Sequence, residues 1–257
     1  MDYISFHKYQ GTGNDFVMID NRRKLFPKND LDLIGKLCDR RFGIGADGVI
    51  LIEDAAHADF EMVYYNPDGS QSLCGNGSRC AVMFAAFLGI IEKKTKFIAI
   101  DGVHKAEIIG DEVSLRMHDV EGFEQIGDDL LIDTGSPHYI KFVSAVDDKD
   151  MISEGQAIRY NERFAESGVN VNLIEAIDSD KIKIRTYERG VEGETLSCGT
   201  GCTAAALAFG ASKGTNEVLL MTRGGSLRVS FEQRNGAFKE IYLKGPAQLV
   251  FEGKISH

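Results

Sequence analysis

The chain has 257 residues, 43% of them hydrophobic and 26% charged, and a net charge of −10 from 29 basic and 39 acidic side chains. That apolar content excludes a disordered chain, and the length accommodates one large domain or two of about 100–150 residues. The negative balance argues against a nucleic-acid backbone or an anionic membrane as partner.

The N-terminus lacks a basic stretch followed by an apolar core, so no secretory signal is expected. The first predicted helix carries Leu31, Ile34, Leu37 and Cys38 as one apolar stripe after Asn29-Asp30, with Gly43 beyond its end. Strands are predicted at 49–53, 60–65, 103–109 and 112–117, each β-branched or aromatic and bounded by turn formers. Between them, 81–89 is apolar on every face and reads as a buried helix ending near Gly89. The apolar run Ala81 to Ile91 is about half of what a bilayer span needs, so no membrane segment is expected. The second half offers strands at 183–187, 217–222, 226–231 and 238–243, with Asn235-Gly236 as a hairpin turn. Its helix, 203–211, is apolar all round and expected to end near Gly210.

The two halves repeat. Thr12-Gly13, Leu51-Ile52-Glu53 and Tyr65 recur 122 residues later as Thr134-Gly135, Leu173-Ile174-Glu175 and Tyr187. Cys74-Gly-Asn-Gly recurs 124 residues later as Cys198-Gly-Thr-Gly. The expectation is an α/β (α+β) protein of two pseudo-symmetric domains, each a curved, antiparallel, barrel-like sheet around a central helix. The first domain is 1–121, rejoined by a C-terminal strand at 247–257, and the second is 122–246, with the active site in the cleft between them.

Cys74 and Cys198 each stand just before a buried helix. Unpaired N–H groups and the helix dipole favour negative charge there, which is expected to lower a thiol pKa towards neutrality. The neighbouring glycines let a carboxylate approach the same N–H groups. Two such thiols in one cleft suit inversion of a carbon centre, one removing a proton while the other supplies one to the opposite face. A rival of another class is a thiol redox protein cycling through a Cys74–Cys198 disulfide; a third is a binding protein that uses the cleft without catalysis. Metal is not expected, because the spacings 74/80 and 198/202 lack a tight C-x-x-C pair or a histidine at ligand spacing. Cys38, Cys80 and Cys202 read as core. Five cysteines, an odd count in a chain this large, suggest reduced thiols and a cytoplasmic location. Residues 43–48 match GxGxxG, but they follow a helix and precede a strand, so they read as a turn rather than a dinucleotide site.

The segments 9–20, 40–48, 64–80, 133–139, 169–172, 187–201 and 245–253 together resemble the diaminopimelate epimerases, a family of pyridoxal-phosphate-independent amino-acid racemases. The resemblance implies interconversion of LL- and meso-diaminopimelate without a cofactor, in a homodimer. It makes Cys74 and Cys198 the acid/base pair, with His138 near the thiols. Gly75, Asn76, Gly199 and Thr200 would grip the reacting carboxylate, and Glu188 the reacting amino group. Asn14, Asn66, Asn170 and Arg189 would read the distal amino-acid end. A proline or hydroxyproline racemase shares the mechanism, but its cyclic substrate has nothing to pair with Arg189 and the asparagines. The chain departs from the family pattern with Gly48 where many members carry glutamine and Ser136 where many carry asparagine. Its Asn66–Cys74 loop is also one residue shorter than usual.

Overall fold

The computed structural model describes residues 3–256. The chain divides into two compact units, one running to Leu115 and resuming at Gly245, the other Arg116–Lys244. Among the described residues no helix is long and apolar enough to cross a membrane.

The first unit opens with an antiparallel hairpin, β1 (Tyr3–Gly11) and β2 (Asn14–Asp20), which turns at Thr12 and Gly13, both at positive φ. Helix α1 (Leu31–Cys38) then crosses to β3 (Gly48–Glu53), which lies parallel to β2 and antiparallel to β4 (Phe60–Tyr65). Helix α2 (Gly75–Phe87) crosses to β5 (Lys94–Ala99), parallel to β4. Strands β6 (Gly102–Ile109) and β7 (Glu112–Arg116) follow as an antiparallel meander. A C-terminal strand, Gln248–Ser256, pairs antiparallel with β1.

The second unit repeats this order. An antiparallel pair, β8 (Glu124–Ile126) and β9 (Asp129–Asp133), leads to β10 (Pro137–Phe142), antiparallel to β9. Helix α3 (Met151–Arg159) crosses to β11 (Asn170–Asp178), parallel to β10, and β12 (Lys181–Glu188) returns antiparallel. A short strand, β13 (Gly193–Thr195), extends β12 as a hairpin before α4 (Gly199–Lys213). Strands β14 (Glu217–Thr222), β15 (Gly225–Arg234) and β16 (Ala237–Pro246) complete the unit, with β14 parallel to β12.

The sheets are therefore mixed, not wholly antiparallel. Each helix spans a crossover, and a crossover returns the chain parallel to the strand it left. Helix α2 packs against β1, β2, β3, β4 and β6, and α4 likewise against six strands of its own unit. The opposite sheet face is also covered. Leu33, Ile34, Leu37 and Cys38 of α1 form a core with Val17, Ile19, Val49, Leu51 and Val63. Burial on both faces is why β3 reads as an unbroken apolar run rather than an alternation.

Three local expectations are corrected. Leu31 is exposed, and Leu33 takes its place in the buried stripe, because the helix starts at Asp30 and turns Leu31 outward. Helix α2 is not buried all round, since Phe87 in its last turn is exposed. Helix α4 runs past Gly210 to Lys213 and stops at Gly214, at φ 71°. Gly210 serves packing instead: a Cβ there would lie 2.4 Å from Phe231.

Candidate functional site

Both conspicuous cysteines are helix N-caps with extended backbone, Cys74 at φ −131° and Cys198 at φ −118°. The amides of Gly75 and Asn76, and of Gly199 and Thr200, therefore lie in first turns, where no carbonyl of their own helix can reach them. Glycine three residues after each cysteine permits close packing below the helix start. A Cβ at Gly77 would meet Ile50 at 3.0 Å and Phe16 at 3.4 Å. A Cβ at Gly201 would meet Asn172 Oδ1 at 2.5 Å and His138 at 3.3 Å.

Around Cys74 the partners are fixed in direction. Asn14 Nδ2 donates to Asp47 Oδ2 at 2.5 Å, which turns its Oδ1 towards the helix start. That oxygen accepts from the Cys74 thiol and from Asn76 Nδ2, each at 3.3 Å. Cys74 Sγ in turn accepts the Gly77 N–H at 3.4 Å. Asp47 is held by Arg40 at 2.8 Å, and Arg40 also clamps Asp15. Burial works against the Asp15 carboxylate, but hydrogen bonds from Arg40 and Lys8 outweigh it and hold the pKa at about 2. The 40–48 turn thus acts by holding Asn14. Beneath the helix start, Arg79 is fully buried and donates to Asn76 Oδ1 at 2.9 Å and to Thr12 Oγ1 at 3.3 Å.

Around Cys198 the groups differ. Its Sγ lies 3.5 Å from Thr200 Oγ1. Thr200 Oγ1 lies 3.0 Å from His138 Nε2, and Asn172 Nδ2 lies 3.1 Å from His138 Nδ1. Burial, helped by the charge of Arg189, pulls the His138 pKa down to about 3, so the ring is neutral. Cys198 corrects an expectation. Its pKa is raised well above the ordinary thiol value, first by burial and then by the Glu188 carboxylate. The Thr200 hydroxyl and Gly201 amide oppose this without reversing it. The helix end alone does not make a thiolate when water is excluded and a carboxylate stands nearby.

Farther along the same unit, Asn170 Nδ2 donates to Ser136 Oγ at 2.9 Å and its Oδ1 accepts the Arg189 N–H at 2.9 Å. The Arg189 guanidinium is exposed and, among the described residues, donates to neutral oxygens, Ser167 O at 3.0 Å and Ser136 Oγ at 3.2 Å. Ser136 therefore bridges Asn170 and Arg189. Asn66 Nδ2 caps its own loop, donating to Ser70 and Ser72. At Gly48 a Cβ would lie 2.4 Å from the Tyr64 ring, so that ring fills the space a side chain would take. Cys38, Cys80 and Cys202 are buried thiols, with burial raising the pKa of Cys38 to about 11.

Sequence reasoning passed over Asp47, Arg79, Thr12 and Asn172. Two of them carried a signal: Arg79 is a lone charge in an apolar helix, and Asn172 lies two residues from Asn170 on one strand face.

A profile of the family described as diaminopimelate epimerase matches residues 6–121 and 130–250. A diaminopimelate epimerase of Flavobacterium psychrophilum is 52% identical over 98% of this chain and 100% of its own. One from Chlorobaculum tepidum is 44% identical over 96% of this chain and 99% of its own. Among solved structures, a phenazine biosynthesis protein of the PhzF family from Bacillus anthracis superposes with a TM-score of 0.78 at 15% identity, covering all of both chains. A hydroxyproline epimerase from Agrobacterium vitis superposes at 0.70 with 16% identity, covering 98% of this chain and 92% of its own. These two share the fold. Two halves that each start a buried helix on a cysteine, and full-length identity of this degree, place the chain in the diaminopimelate epimerase family.

Proposed function

We propose that this protein interconverts LL- and meso-diaminopimelate without a cofactor, with Cys74 and Cys198 acting on opposite faces of one α-carbon. The observation that carries the reading is the equivalence of the two cysteines, each the N-cap of the helix inside its own unit. One sulfur, as thiolate, takes the α-proton. The negative charge that develops spreads onto the α-carboxylate, where the first-turn amides of Gly75, Asn76, Gly199 and Thr200 can stabilise it. The other sulfur, as thiol, returns a proton to the opposite face, and the roles exchange in the reverse direction.

Glu188 gives this scheme a switch. After burial, its charge is what most disfavours ionisation of Cys198. A substrate ammonium paired with Glu188 cancels that charge and makes the thiolate accessible on binding. Arg189, whose guanidinium has no carboxylate partner among the described residues, suits the distal carboxylate, with Asn14, Asn66 and Asn170 completing the polar lining. A cyclic imino acid would leave that guanidinium unanswered, so the long substrate is favoured.

Five thiols fit a reducing, cytoplasmic setting. A homodimer is part of the same reading, and Leu249, Val250 and Phe251, exposed on the C-terminal strand, are the surface a second copy would cover. A monomer in sedimentation equilibrium would remove that element. The activity itself is tested by incubating the protein with LL-diaminopimelate in deuterated water. Deuterium at one α-carbon and appearance of the meso form are expected; exchange into proline instead would transfer the reading to a proline racemase.

A further inference from the structure

The hydrogen bonds behind Cys198 have one consistent direction. Asn172 Nδ2 lies 3.2 Å from the Tyr139 carbonyl, which can only accept, so the amide nitrogen and not the oxygen must face it. The same nitrogen then donates to His138 Nδ1, while Asn172 Oδ1 accepts from Thr186 Oγ1 at 3.0 Å. A neutral imidazole that accepts at Nδ1 carries its proton on Nε2. His138 therefore donates to Thr200 Oγ1, and the Thr200 proton is left to point elsewhere, with Cys198 Sγ at 3.5 Å.

The other unit shows that this arrangement is not required by the fold. At the 122-residue offset, His138 corresponds to Phe16 and Asn172 to Ile50. Those two apolar side chains pack under Gly77 as His138 and Asn172 pack under Gly201. Both His138 and Asn172 are fully buried. A buried polar pair where hydrocarbon also fits costs stability unless it is hydrogen-bonded, and the bonds that satisfy this one also fix its direction.

We propose that Asn172 is a positioning residue: it locks His138 in the Nε2–H tautomer, so that the Thr200 hydroxyl is turned to donate to Cys198 and favour its thiolate. This rests on Cys198 being an acid/base group, as proposed above. The titratable groups facing Cys198 are Glu188 of β12 and Cys202 one turn along α4, with His138 of β10 acting through Thr200.

The test uses the whole protein without substrate, so it stands apart from whether diaminopimelate is turned over. In protein labelled with ¹⁵N-histidine, the His138 signals, identified by their loss in His138→Gln, should show a protonated Nε2 and a bare Nδ1. Asn172→Asp, whose carboxylate can only accept at Nδ1, should reverse the assignment. Iodoacetamide labelling, read cysteine by cysteine by mass spectrometry, should slow about tenfold at Cys198 in Thr200→Val and stay unchanged at Cys74, with Thr200→Ser restoring the rate; tenfold corresponds to one unit of thiol pKa. Asn172→Asp should slow Cys198 similarly, and by no further amount in the Thr200→Val background, which separates the hydroxyl route from the added charge. A protonated Nδ1 in the unaltered protein, or unchanged Cys198 labelling in Thr200→Val, overturns the proposal.

Discussion

The two helix starts are built on one plan with opposite chemistry beneath them. Under α2 the packing is Phe16 and Ile50, and the polar element is the buried guanidinium of Arg79, which orients Asn76. Under α4 the packing is itself polar, and a neutral imidazole orients Thr200. The sulfurs differ accordingly. Cys74 donates to a carbonyl oxygen, Asn14 Oδ1, whereas Cys198 faces a hydroxyl. A duplicated scaffold has thus kept its backbone positions while each half acquired its own means of controlling a thiol. The difference shows that equivalent position does not give equivalent partners, and at Cys198 it is burial and the neighbouring Glu188 carboxylate that decide the direction of the pKa.

Breaking the pair outright has the largest expected effect. Cys74→Ala and Cys198→Ala should each lower epimerisation by about a hundred- to ten-thousand-fold, the range spanned by acid/base groups, while binding of diaminopimelate persists in calorimetry. Exchange surviving both replacements would place the base elsewhere.

The second comparison concerns packing. Gly201→Ala should destabilise the protein by about 1–3 kcal/mol in urea denaturation, because the new methyl meets a hydrogen-bonded amide oxygen at 2.5 Å that cannot give way. Gly77→Ala meets the mobile tip of Ile50 at 3.0 Å, and the helix propensity gained, about 1 kcal/mol, offsets most of that contact. Equal losses at both sites would contradict the difference drawn between the halves.

The third sharpens the role of the imidazole. With its native pKa at about 3 and an unfolded value near 6.5, His138 refuses a proton that the unfolded chain accepts. Stability therefore falls as pH drops from about 6.5 towards 3, by at most about 1.4 kcal/mol per pH unit from this group. His138→Gln should flatten that acid limb in denaturation curves taken between pH 4 and 7. An unchanged slope would mean that other groups set it.

Much of this was legible in the chain. The repeat was written in residue identities, and the cysteines stood before apolar runs whose continuity on every face announced buried helices. The strands followed from β-branched and aromatic runs, and Asn235-Gly236 turned where that dipeptide turns. The mixed sheet was less legible, since the segments 31–38 and 75–87 look the same whether the strands they join are parallel or antiparallel. The misplaced stripe at Leu31 came from the same limitation: periodicity fixes the spacing of a face but not its phase until the first turn is known.

What sequence alone determined was the duplication, the location of two helix starts and the residue types gathered there, because these depend on local propensity and spacing. What tertiary structure decided was which polar groups meet. Parallel pairing of β10 with β11 brings His138 beside Asn172, and a turn at 40–48 brings Asp47 to Asn14. Such contacts join residues more than thirty positions apart, and burial then sets their protonation; neither the distance bridged nor the water excluded is written in any local stretch of the chain.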